Sequence, residues 1–245
     1  INKKLTVDGK NLETIGKKYG TPTYCYSYNK LRENISNFKK NFKSFSPLIC
    51  FSIKSNTNIH LIRVIKKFGL GADVVSLGEL ILALKAGVSP KKIVFSGVGK
   101  TTNEINHAIN KKILLINAES YSEIKEIERI AKSKKKKVHV GIRINPNTDA
   151  KTLSQISTGK KENKFGVDNK TLLKIIEYCK NSKYLNLKCL SVHIGSQILN
   201  YKPYIKMLKV LTKTLGQINY KFDFIDLGGG MGITYNKKNK KLNYK

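Results

Sequence analysis

Acidic residues are scarce in this sequence: 16 Asp and Glu stand against 47 Lys and Arg, a formal net charge of +31. Cysteine is sparse as well, at four. Cys25, Cys50, Cys179 and Cys189 form no CxxC pair and no metal-ligand spacing, which argues against a disulfide scaffold or thiolate metal site and fits a reducing compartment. No apolar run approaches the roughly twenty residues of a membrane span, and the opening INKKLTVDGKNL is too polar for a signal peptide. These absences describe a cytoplasmic, soluble protein with no membrane role. No pairing of histidines with carboxylates has metal spacing, and no Ser or Cys sits in a nucleophile elbow. His60, His107 and His139 lack companion acids and read as structural or surface residues.

The excess of positive charge invites a nucleic-acid reading. However, lysines fall on nearly every predicted helix, and the densest run, Lys134 to Lys137, lies in a helix-to-strand connection. This pattern favours a solvated, lysine-rich surface over a specific nucleic-acid face, with loose, salt-sensitive binding of polyanions.

At 245 residues the chain can bury one sizeable core. Apolar strand-like runs at 23–27, 48–53, 71–76, 93–96, 113–116, 138–144, 190–194 and 224–227 alternate with helical stretches such as 30–42, where Leu31, Ile35, Phe38 and Phe42 share a face. Eight such units predict a closed (β/α)8 barrel, with a doubly wound open sheet as the alternative. The expected division is a lead-in over 1–22, the barrel over 23–235 and a cut end over 236–245. A start at Ile1 and a finish in NKKNKKLNYK without a capped element read as a piece of a longer protein.

Strand ends of such barrels face the catalytic mouth, and three stretches place chemistry there. LICFSIKSN (48–56) ends its apolar run at Lys54. HIGSQI (193–198) follows the seventh expected strand, where the flat ring of His193 can stack on a planar cofactor or simply pack in a loop. DLGGGMGI (226–233) follows the eighth; Gly228, Gly229 and Gly230 free the backbone to turn several N–H groups onto an anion, with a hydroxyl from Ser196 beside them. A tight turn needing small residues is the plainer reading of three glycines, but loops seven and eight are the habitual phosphate site of this architecture. Asn145 to Val167 is long for a connection and either covers the site or is an exposed excursion.

Together, YGTPTYCYS (19–27), FSIKSN (51–56), GADVVSLGEL (71–80), FSGVGKT (95–101), RINPNTDAKT (143–152), STGKKENKFG (157–166), HIGSQI and DLGGGMGI resemble diaminopimelate decarboxylase. That family is the lysine-forming branch of the alanine-racemase-like pyridoxal-phosphate decarboxylases. The resemblance runs from about Leu12 to Tyr235. It implies pyridoxal 5'-phosphate as cofactor, Lys54 as its covalent attachment point, His193 stacked on its ring, and Ser196 with Gly228, Gly229 and Gly230 around its phosphate. Asp73 and Arg143 fall at pocket-lining positions. It also implies decarboxylation of meso-2,6-diaminopimelate to L-lysine in the last step of lysine biosynthesis, by a homodimer acting on a small amino acid, with no metal and no specific nucleic acid. Family members continue past the barrel into an acidic-Pro-Gly-Arg segment and a β-rich domain that complete the site, so the resemblance makes this chain the amino-terminal part of such a protein, with its activity alone in doubt. The competing readings are a single-barrel, non-enzymatic pyridoxal-phosphate carrier and a decarboxylase of another basic amino acid.

Overall fold

The computed structural model describes residues 4–146 and 165–235. The chain falls into two compact units, one ending at Pro47 and one beginning at Leu48.

In the first unit, strands β1 (Thr6–Val7) and β2 (Lys10–Asn11) pair antiparallel. Asn11 then caps helix α1 (Leu12–Tyr19) by accepting from the Glu13 and Thr14 amides, and the helix ends at Gly20, whose φ of 86° suits a residue without Cβ. Ser27 caps α2 (Tyr28–Asn41), while its hydroxyl donates to Asp8. Residues 23–27, the expected first strand, form no strand. The alternation of Thr23, Tyr24, Cys25 and Tyr26 resembles a strand, but without ladder partners an extended segment is not one, and its last residue is committed to capping.

The second unit alternates strand and helix: β3 (Cys50–Ser52), α3 (Ile59–Lys67), β4 (Gly71–Val74), α4 (Leu77–Lys85), β5 (Ile93–Phe95), α5 (Thr102–Lys111), β6 (Leu115–Ala118), α6 (Tyr121–Ser133), β7 (Val138–Ile144), α7 (Asn169–Lys180), β8 (Leu185–Val192), α8 (Lys202–Gln217) and β9 (Phe224–Asp226). Asn58, Ser76, Thr101, Ser120 and Asp168 cap the helices that follow them. Each lies where a strand-end loop must supply an acceptor for the orphan amides of the first turn.

Every strand pairs parallel with its sequence neighbour, giving a seven-stranded sheet in chain order with β3 and β9 at its edges. Uninterrupted order excludes the doubly wound alternative, which needs a reversal of strand order. Right-handed crossovers in one direction place all the helices on one face of the sheet. The strand pattern agrees: Ala72, Val74, Ile93, Phe95, Ile116, Ala118, Val140 and Ile142 are buried in the core, whereas residues between them, such as Ser52, Asp73, Asn117 and Arg143, turn to the other face.

That second face is concave. Asn117 on β6 donates to Asp226 on β9 at 3.1 Å, although three strand spacings in a flat sheet amount to about 14 Å. The sheet is therefore curled in the manner of a barrel, with seven strands among the described residues where eight and full closure were expected. Most of the long connection after β7, residues 147–164, lies outside the described residues, as do 236–245.

Parallel topology also sorts charge. Helix last turns carry Lys66, Lys67, Lys85, Lys111, Lys132 and Lys180, whereas first turns carry Glu79, Glu104 and Glu123, each sign complementing the helix dipole. These six last-turn lysines thus share the strand N-terminal end of the sheet. Among the described residues, no helix is long and apolar enough to cross a membrane.

Candidate functional site

The C-terminal ends of the strands bring most of the expected residues into one neighbourhood. Lys54 lies just past β3, in a short 3-10 turn (Ile53–Ser55) rather than in the strand, and is exposed. The turn is fixed by Ile53, which is fully buried, and by Ser55, whose hydroxyl donates to the Ser52 carbonyl at 2.8 Å. Beside it, Asp73 on β4 accepts from the Ser52 hydroxyl at 3.0 Å. Burial raises the Asp73 pKa above the usual carboxylate range, with Asp226 adding to the rise and Ser96, Ser52 and Lys54 opposing it.

His193 follows β8. Its Nδ1 accepts the Gly229 amide at 3.2 Å, which places the proton of the neutral ring on Nε2. Burial, reinforced by the positive charges of Arg143 and Lys54, pushes its pKa down to about 3. The ring is therefore neutral at physiological pH, and both cations lie close enough to act on it.

Arg143 on β7 is buried and held by three contacts. It pairs with Glu119 at 2.9 Å, donates to the His193 carbonyl at 3.2 Å and lies over the Phe165 ring, 4.7 Å from its centroid. Glu119 uses its second oxygen to accept the Gly166 amide at 2.9 Å. This anchors the point where the long connection returns to pair Val167 with Ile144. Behind Glu119, the Glu123 carboxylate receives the Glu119 amide and the Lys100 ammonium at 2.9 and 2.8 Å. Lys100, with a side chain only 1% exposed, also donates to the Gly97 and Asn117 carbonyls, so its buried charge has three acceptors.

The three glycines differ from one another. Gly228 and Gly230 have φ of 67° and 87°; a Cβ on Gly228 would come within 2.7 Å of His193 Nδ1, and one on Gly230 would collide with the Gly195 carbonyl oxygen. Gly229 has open space around its Cβ position. Nor do all three amides point at an anion. Gly228 donates to Asp226 Oδ1 at 2.9 Å and Gly229 to His193. Tyr204 from α8 ties the turn down by donating to the Gly229 carbonyl at 3.0 Å. The Gly230 amide and the Ser196 hydroxyl make no hydrogen bond among the described residues, so these two donors fit an incoming phosphate. A cationic Lys54, a flat neutral His193, a half-buried Asp73 and two uncommitted donors match the requirements of an aromatic phosphate such as pyridoxal phosphate. Among the described residues, no cluster of His, Cys, Asp or Glu could hold a metal ion.

Sequence reasoning missed Glu119 and Asn117. Both lie at the end of the apolar run ILLINAES, where the strand-end rule that singled out Lys54 would also have found them.

A family model described as pyridoxal-dependent decarboxylase, pyridoxal binding domain, matches residues 28–245. Diaminopimelate decarboxylase of Helicobacter pylori strain J99 is 44% identical over 229 residues, 92% of this chain and 56% of that protein. Its counterpart from Aquifex aeolicus is 39% identical over 240 residues, covering 97% and 57%. The crystal structure of the Helicobacter pylori enzyme complexed with L-lysine superposes with a TM-score of 0.88 at 42% identity, over 95% of this chain and 60% of that one. The chain thus spans little more than half the length of these relatives.

Proposed function

This chain belongs to the pyridoxal-dependent decarboxylases, matching their pyridoxal-binding domain, and from that premise we propose that it is the cofactor-holding part of a diaminopimelate decarboxylase converting meso-2,6-diaminopimelate to L-lysine and CO2. The cofactor is pyridoxal 5'-phosphate. When bound, it supplies a conjugated ring that accepts the electron pair left behind as the substrate carboxylate departs. What this chain contributes is placement. Lys54 provides the amine for covalent attachment. His193 offers a neutral ring face, fixed by the Gly229 amide, on which the flat ring of the cofactor would stack. Ser196 and the Gly230 amide receive the phosphate, Arg143 braces the His193 backbone, and Asp73 lines the pocket opposite.

The observation that carries this reading is His193, its Nδ1 held by the Gly229 amide and its carbonyl by the Arg143 guanidinium, with the Lys54 charge acting on its ring. A ring kept neutral against two cations is suited to stacking rather than to proton transfer near pH 7. The match to a decarboxylase domain, with 44% identity to a diaminopimelate decarboxylase, supports this function over the single-barrel carrier and over decarboxylases of other basic amino acids. On this reading the whole protein works as a homodimer in the cytoplasm, a proposal with which the four free cysteines are consistent.

The test is an assay of the full-length protein against a panel of basic and dicarboxylic amino acids. Release of CO2 from meso-2,6-diaminopimelate ahead of ornithine, arginine and lysine is expected. Preference for another member of the panel would contradict the substrate, and no turnover of any member would contradict the enzyme.

A further inference from the structure

Asn117 is an expensive residue for its position. It is 1% exposed, and its Oδ1 is buried without a hydrogen-bond partner among the described residues, a state that is costly in a core. The space for it exists because β7 carries no side chain opposite: in the ladder Asn117 pairs with Gly141, and a Cβ on Gly141 would collide with Oδ1. So placed, the amide nitrogen donates to Ser96 at 3.3 Å and to Asp226 Oδ2 at 3.1 Å. The same carboxylate oxygen accepts from Ser191 at 2.9 Å. Its other oxygen, Oδ1, accepts the Gly228 amide, and the next amide, Gly229, reaches His193 Nδ1. A connected line runs from β6 through the Asp226 carboxylate to the glycine turn and the imidazole.

An apolar side chain would pack this layer without the orphaned oxygen. The polar group is explained by what it orients. We infer that Asn117 is a positioning residue: by fixing the Asp226 carboxylate it sets the turn at Gly228 to Gly230 and the tautomer of His193, and so the place where the cofactor phosphate docks. The last step rests on the cofactor reading above; the tautomer does not.

Two readouts test this on the purified full-length protein. The first is long-range 1H–15N NMR of the cofactor-free protein, with the His193 signals identified by their loss in His193→Gln. The second is titration with pyridoxal phosphate. Asn117→Leu keeps roughly the shape but removes the donor facing Asp226, and Gly141→Ala displaces the same carboxamide from a different strand. Each is expected to turn the single Nε2–H tautomer into a mixture and to weaken pyridoxal phosphate binding by about tenfold, the scale of one lost hydrogen bond to a charged group. Ile116→Val, a destabilising change on the outward face of the same strand, should alter neither. An unchanged tautomer in folded Asn117→Leu, or in Gly141→Ala should the first variant not fold, would overturn the inference, as would an equal effect of Ile116→Val. A wild-type chain that does not bind pyridoxal phosphate would contradict the cofactor reading instead, leaving the tautomer to decide the role of Asn117.

Discussion

The Arg143 guanidinium lies 2.9 Å from Glu119 Oε1, with the two side chains only 9% and 3% exposed. Neither charge is fit to be buried alone, so the pair is conditional: each makes the other possible, and Arg143 is thereby free to hold the His193 carbonyl. Glu119→Ala should leave an uncompensated buried cation and destabilise the chain by about 3–5 kcal/mol. Urea denaturation measures this, and a loss below about 1 kcal/mol would mean that water reaches the guanidinium.

The glycine turn predicts a graded series. Gly230→Ala meets both a positive φ of 87° and the Gly195 carbonyl, so it should cost at least about 1–3 kcal/mol in backbone strain and weaken pyridoxal phosphate binding. Gly229→Ala enters open space and should leave the fold intact. Thermal unfolding and cofactor titration of both variants would separate a turn from a cradle. Gly229→Val should weaken cofactor binding without unfolding; undiminished affinity would make this glycine merely a turn residue.

The depressed pKa of His193, about 3 in the folded chain against 6.5 for the unperturbed group, fixes the sign of a pH effect. Between these values the unfolded state takes up a proton that the folded state refuses, so stability falls as pH drops from about 6.5 toward 3. His193→Gln lacks this contribution. The stability difference between wild type and variant should therefore shift in favour of the variant across that window, as read from denaturation curves at successive pH values. A constant difference would contradict the burial of a neutral ring.

The net charge of +31, with last-turn lysines sharing the strand N-terminal end, predicts weak retention of oligonucleotides at low salt, independent of sequence. Anisotropy titrations should show binding lost by physiological salt and reduced in a Lys135→Glu, Lys137→Glu double variant. Sequence preference that survives high salt would instead mark a specific interface.

Much of this architecture was legible in the residues. Periodic stripes such as Ile59, Ile62 and Ile65 gave the helices, and short β-branched runs gave β3 to β9, because in a parallel sheet local pattern and burial agree. Lys54, His193 and the glycines could be placed because strand ends are where this topology exposes chemistry. What escaped depended on distance in sequence. Asn117 and Asp226 are 109 residues apart, and their contact exists only once the sheet curls. Glu119 likewise gains its partner only when Arg143 arrives from the next strand. The segment 23–27 misled because alternation alone does not supply a ladder partner.

The central claim is that one amine among the many in this chain carries the cofactor. Incubation with pyridoxal phosphate, reduction with borohydride and peptide mass mapping test it directly. The account predicts a single reduced pyridoxyl adduct on Lys54, accompanied by a visible absorbance band that is absent from Lys54→Ala. Labelling concentrated on another lysine, or a band unchanged in Lys54→Ala, would contradict it.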